Sequence, residues 1–158
     1  PETHRARPVQ KLLAMPVEGG APRRLAAANG LSVDPTGRYL LTSLHRPDGV
    51  QLVRVSLSGA ADEPLRLPEG PLRVSATPLT SGGIAADGRI AIRVTRADSW
   101  FWYPAIFNPS AGALTVPPFE LDRDITQAQW DAQGRLVAIA YRTQASLWRF
   151  RPAAPAAP

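Results

Sequence analysis

The sequence predicts an all-β chain assembled from a repeated four-stranded unit. Three observations lead there. Seventeen prolines are spread along the 158 residues, and an interior proline removes a helical hydrogen bond and clashes with the preceding turn. No segment carries an apolar stripe at the period of an amphipathic helix. One short pattern also returns: DPTGRYLLTS (34–43), AADGRIAIRV (85–94) and DAQGRLVAIA (131–140). Each is a tight turn ending in Gly-Arg, followed by an apolar, β-rich run. The glycines Gly37, Gly88 and Gly134 lie 51 and 46 residues apart, the spacing of a repeat architecture.

The elements follow in order. Residues 1–10 form an N-terminal arm, and LLAMPVEGG (12–20) is a strand closed by Gly19-Gly20, with APRRLA (21–26) returning from it. GLSV (30–33) enters the first Gly-Arg turn, and YLLTS leaves it. VQLVRVSLSG (50–59) and EPLRLP (63–68) complete that unit. The second unit runs SGGIAA (81–86), RIAIRV, YPAIFNPSAG (103–112) and ALTVPP (113–118), with EGPLRVSATPLTSG (69–82) as a long loop before it. ITQAQW (125–130), RLVAIA and SLWRFRP (146–152) begin another, and residues 153–158 are a Pro/Ala tail of the disordered type. The glycines supply the positive φ that such hairpin turns demand.

Four-stranded units of ~40–50 residues describe the blades of a β-propeller. Residues 11–152 then hold about three to three and a half blades. A closed propeller needs at least ~4, and an open end exposes a strand edge that templates pairing with another chain. The partner is therefore a second copy, giving a six-bladed homodimeric ring, or a missing remainder of the same protein.

At this point the residues resemble a known family. LLAMPVEGGAPRRL followed by GLSVDPTGRYLLTS is similar to the TolB-like, WD-repeat-like propeller repeat, whose turn reads Trp-Ser-Pro-Asp-Gly-Arg. Trp130-Asp131 keeps the tryptophan, while Val33 and Ala85 stand at its place in the earlier units. The run DSWFWYPAIFNPSAG (98–112) resembles the C-terminal propeller regions of some bacterial serine/threonine protein kinases and related regulators. The resemblance implies a bacterial regulatory protein, cytoplasmic or periplasmic, whose propeller binds a protein or small ligand. No kinase motif is present in the chain.

In such a unit the glycine turns share one face, and the opposite face receives irregular loops, which favours function there. Trp100, Phe101, Trp102 and Tyr103 are consecutive. Most of this run is expected to pack between blades, with Trp100 exposed at the rim as a ligand or partner anchor beside Asp98. Arg46, Arg96 and Arg142 follow their glycines by nine, eight and eight residues. They are expected at equivalent places on that face, where guanidinium groups bind a carboxylate or phosphate or pair locally with Asp48, Asp98, Asp122 or Asp124.

Other chemistries are poorly supplied. The chain has no cysteine, which removes disulfides, thiolate catalysis and Cys-ligated metal. Its two histidines, His4 and His45, match no zinc spacing, and no Gly-x-Ser-x-Gly elbow exists. Glu120, Asp122 and Asp124 alternate in a way that suits calcium, but Arg123 among them favours a solvated loop. The inner strands offer only Gln127, Gln129 and small residues as acid–base material. The expectation is a non-catalytic interaction or sensing module without cofactor or metal. The competing reading is the propeller part of a hydrolase, lactonase or peptidase whose catalytic residues lie elsewhere. Net charge is +5, with Lys11 the only lysine; the arginines are scattered, so nucleic acid is not the expected partner. No run of eighteen apolar residues is present, so no membrane-spanning helix is expected.

Overall fold

The three Gly-Arg turns are built alike, and their chemistry explains the recurring sequence. In a computed structural model describing residues 10–77, 79–118 and 123–142, each turn is closed by a glycine amide donating three residues back. Gly37 donates to Asp34, Gly88 to Ala85 and Gly134 to Asp131, at 2.8, 2.9 and 3.0 Å. The glycines sit at φ 71°, 85° and 73°, a region in which a Cβ clashes with the following carbonyl. Aspartate fastens the turn from the side. The Asp131 carboxylate accepts the Gln133 and Arg135 amides at 2.9 and 2.8 Å and Arg135 Nε at 2.7 Å. In the second turn Asp87 does this work, accepting the Arg89 amide at 3.1 Å and its Nε at 2.7 Å.

The chain is all-β, with antiparallel strands and no helix among the described residues. Strands β1 (Gln10–Ala14) and β2 (Arg23–Ala28) form a first, two-stranded sheet. β3 (Gly30–Val33), β4 (Tyr39–Arg46), β5 (Gly49–Ser56) and β6 (Glu63–Leu65) form a four-stranded meander. β7 (Leu72–Val74), β8 (Ile90–Arg96), β9 (Tyr103–Asn108) and β10 (Ala113–Thr115) form a second. β11 (Asp124–Trp130) and β12 (Leu136–Tyr141) pair in a fourth sheet. The expected N-terminal arm, apart from Gln10, the expected strand at 146–152 and the tail lie outside the described residues.

One expectation is corrected. The long loop 69–82 contains β7, which pairs with the second half of β8 through Leu72↔Arg96 and Val74↔Val94. Residues 82–85 flank only its first half, by the Ile84↔Ile90 bridge and the Ala91 amide on the Gly83 carbonyl at 2.7 Å. Gly83 turns back on Thr80 there, so the inner edge of the third sheet is shared between two segments.

The first turn is one residue longer than the others. Asp34 donates to the Tyr39 carbonyl, five residues on, whereas Ala85 donates to Arg89 and Asp131 to Arg135, four residues on. Leu40, Ile90 and Leu136 are therefore equivalent, and so are Arg46, Arg96 and Arg142. The residue matching Val33 and Trp130 is Ile84, not Ala85, because Ala85 occupies the place of Asp34 and Asp131.

With that register the sheets stack in chain order, each showing the same face to its predecessor. Leu40 and Leu44 of β4, with Val53 and Val55 of β5, pack against Leu12, Leu25 and Ala26 of the first sheet. Ile90, Ile92 and Val94 of β8, with Ala105 and Phe107 of β9, pack against Leu41, Leu52 and Leu65 of the second. Alternation along a strand puts Leu41 and Leu40 on opposite faces, and both middle sheets are covered on both. The fourth sheet closes on the third through Arg89, whose guanidinium lies 4.6 Å from the centre of the Trp130 ring. The Trp130 amide also donates to Gly82 at 2.9 Å, and the Thr80 hydroxyl to Ala128 at 2.6 Å.

Candidate functional site

The aromatic run divides between solvent and interior within three residues. β8 ends at Arg96 and β9 begins at Tyr103, and the connection is tied to itself. The Ser99 amide donates to the Arg96 carbonyl at 3.2 Å, and the Phe101 amide to Ser99 Oγ at 3.0 Å. The Thr95 hydroxyl lies 2.9 Å from the Phe101 carbonyl and 3.1 Å from that of Ser99, one proton serving both. This loop holds Trp100 out: its side chain is 96 % exposed, and Phe101 beside it is also exposed. Trp102 and Tyr103 are half-buried, and Phe107, further along β9, is 1 % exposed.

Behind the loop, Trp102 is anchored to the fourth sheet. Its amide donates to Asp124 Oδ1 at 2.8 Å, and its carbonyl accepts the Ile125 amide at 3.1 Å. Arg93, pointing from β8 to the same side, places its guanidinium 5.9 Å from the Trp102 ring centre. The Arg93 head donates to the Thr77 carbonyl at 2.8 Å and to Ser75 Oγ at 3.1 Å, and it touches the Thr77 hydroxyl. Burial lowers the Arg93 pKa below the usual arginine value, and the nearby Asp124 charge opposes that shift. A cation thus lies beneath the aromatic loop, held by carbonyl and hydroxyl oxygens. Spacing alone does not mark this group, because an arginine in the middle of RIAIRV reads as an outward-facing strand residue.

The other expected site residues stand at strand ends. Asp98 is exposed in the same loop, two residues before Trp100. Arg96 is exposed at the end of β8, 6.0 Å from the centre of the Tyr103 ring. Arg46, at the end of β4, donates through Nε and Nη2 to Gln51 Oε1 at 3.1 and 3.0 Å. Its local partner is an amide oxygen rather than Asp48. Together with Asp48, Gln51, Leu65 and Leu67 it lines an open groove of about 430 Å³. Arg142 follows the end of β12 directly and is exposed. The three arginines thus occupy one structural position on successive sheets, and the extra residue of the first turn accounts for the nine-against-eight spacing.

His45 lies in β4, its amide donating to Asn29 Oδ1 at 3.0 Å. His4, Glu120 and Asp122 lie outside the described residues. Asp124 is committed to the Trp102 amide, and among the described residues no group of three or more His, Cys, Asp or Glu side chains could hold a metal ion. No family model, no curated protein and no solved structure matches this chain.

Proposed function

We propose that the four stacked sheets are blades of a β-propeller and that the chain is a non-catalytic module for docking a protein or sensing a ligand. Its contact site is the loop carrying Asp98 and Trp100, with Arg96 beside it and Arg46 and Arg142 at the equivalent places. The support for blades is the four-stranded meander repeated in register, with equivalent faces stacked in one direction. The observation that carries the function is Trp100: a fully solvated indole on a loop fixed by its own hydrogen bonds. A tryptophan side chain covers roughly 150–250 Å² when buried, and no described part of the fold uses that area. Because the loop is already ordered, a partner covering Trp100 meets little of the entropy cost that weakens flexible sites. The adjacent guanidinium of Arg96 suits a carboxylate or phosphate on that partner.

The test compares the wild-type protein with Trp100→Ala and Arg96→Ala in quantitative affinity capture from cells that express it, followed by mass spectrometry and metabolite analysis. One protein or small molecule should be retained by the wild type and lost with Trp100→Ala. An interface tryptophan of this kind contributes ~2 kcal/mol or more, a loss of affinity of about thirtyfold. Equal retention by all three proteins would remove the site.

A further inference from the structure

The stack has two unfinished ends, and they complement each other. Leu41 and Ala91 occupy equivalent positions on β4 and β8, facing the following sheet, and both are fully buried. Their equivalent on β12 is Val137, which is exposed, as are Ile139 and Tyr141 along the same face. At the other end, Val33 is equivalent to the buried Ile84 and Leu31 to the buried Ala128, yet Leu31 and Val33 are exposed. The reason is visible in the strand count. Among the described residues the first sheet has only the two outer strands of a unit, so it covers β4 and β5 but not the inner strand β3. Among them too, the fourth sheet has only the two inner strands, β11 and β12. Each half-sheet, as described, holds the strands the other lacks.

We infer that a second copy of this chain completes both ends, β12 of one copy pairing antiparallel with β1 of the other. The composite sheet then runs β11–β12–β1–β2, the order of the chain's own β3–β4–β5–β6. Val137, Ile139 and Tyr141 are laid on Leu31 and Val33 of the other copy. Within the chain this covering is impossible, since the fourth sheet and β3 lie on opposite sides of the third sheet. Residues 146–152, expected as a strand, lie outside the described residues, and a strand added at the β12 edge covers backbone and leaves Leu31 and Val33 bare. A second copy serves both ends at once, by a two-fold axis that closes the assembly. Two complete sheets from each copy and two composite sheets make a ring of six. This inference rests on the blade reading.

The absence of cysteine makes the test clean. Double variants joining Leu31→Cys or Val33→Cys to Val137→Cys or Ile139→Cys are oxidised and run without reductant, with Ala61→Cys, in an exposed turn, as the collision control. Light scattering of the unaltered chain gives its mass over a hundredfold concentration range. The expected results are a mass of two chains, a covalent dimer from at least one double variant and none from the control. Ile139→Glu, at a site exposed in the single chain, should raise the dimer dissociation constant at least tenfold without altering the fold. A single-chain mass at every concentration, or cross-linking no better than the control, overturns the inference. Hydrogen exchange separates that failure from failure of the blades. Slow exchange in β4, β5, β8 and β9 of a monomer removes the second copy alone, and fast exchange there removes the stack as well.

Discussion

Replacing Phe107 and Trp100 by alanine in separate proteins should give opposite results from one aromatic segment. Phe107 is 1 % exposed, packed in the cluster that joins the two four-stranded sheets. Removing a buried phenylalanine costs about 3–5 kcal/mol, the transfer energy of the ring plus the cavity left behind. For a chain of this size each kcal/mol moves the melting temperature by about 2–4 °C, so Phe107→Ala should lower it by roughly 6–20 °C. Trp100 is 96 % exposed and its indole makes no hydrogen bond among the described residues, so Trp100→Ala should stay within about 0.5 kcal/mol, or ~2 °C. Differential scanning fluorimetry at one protein concentration reads both, and near-ultraviolet circular dichroism confirms that the alanine proteins keep native packing. Equal losses from the two variants, or a silent Phe107→Ala, would refute this division of the aromatic run.

Three more outcomes follow from the same geometry. A Cβ added at Gly83 would meet the Thr80 carbonyl oxygen at 2.9 Å, so Gly83→Ala should destabilise by about 1–3 kcal/mol, measured by urea unfolding. Arg93→Ala removes the head that joins Ser75 and Thr77 beneath the Trp102 ring. Hydrogen exchange should then quicken at residues 99–103 while β4 and β5 stay unchanged. Asp87 and Asp131 are held below the usual carboxylate range, chiefly by the backbone amides of Arg89 and Arg135 respectively. The stability they contribute is present above the unfolded carboxylate pKa and is lost as pH falls through the lower folded values. Melting temperature should therefore decline on acidification, less steeply in the Asp87→Asn/Asp131→Asn protein, as melts between pH 7 and pH 3 would record.

The strand order was legible because turns announce themselves locally. Gly-Arg after a short polar stretch, and Gly19-Gly20 after β1, mark hairpins by a requirement for positive φ that few residues meet. β7 was missed because Leu72-Arg73-Val74 is short, follows no glycine turn of that kind and forms only by pairing with the far half of β8. The equivalence of Ile84 with Val33 and Trp130, in contrast, lies in the spacing itself, since each stands four residues before its turn glycine. Trp100 was legible as the outermost ring, since strand alternation and the loop before β9 already placed it there. The Arg93–Trp102–Asp124 connection was not, because it joins residues of two sheets through a backbone amide and a ring face. Neither leaves a mark in sequence spacing.

The Trp100 loop is the proposed place where this chain meets its partner. Its most direct test places a photo-cross-linking amino acid at position 100 in one protein and at Val17, 99 % exposed in the β1–β2 connection, in another. The two positions offer equal access to solvent and differ only in the proposed role. After irradiation in the expressing cell, position 100 should capture one defined protein or ligand that position 17 does not. Identical patterns from both positions, or none from position 100, would remove the Trp100 loop as the contact site.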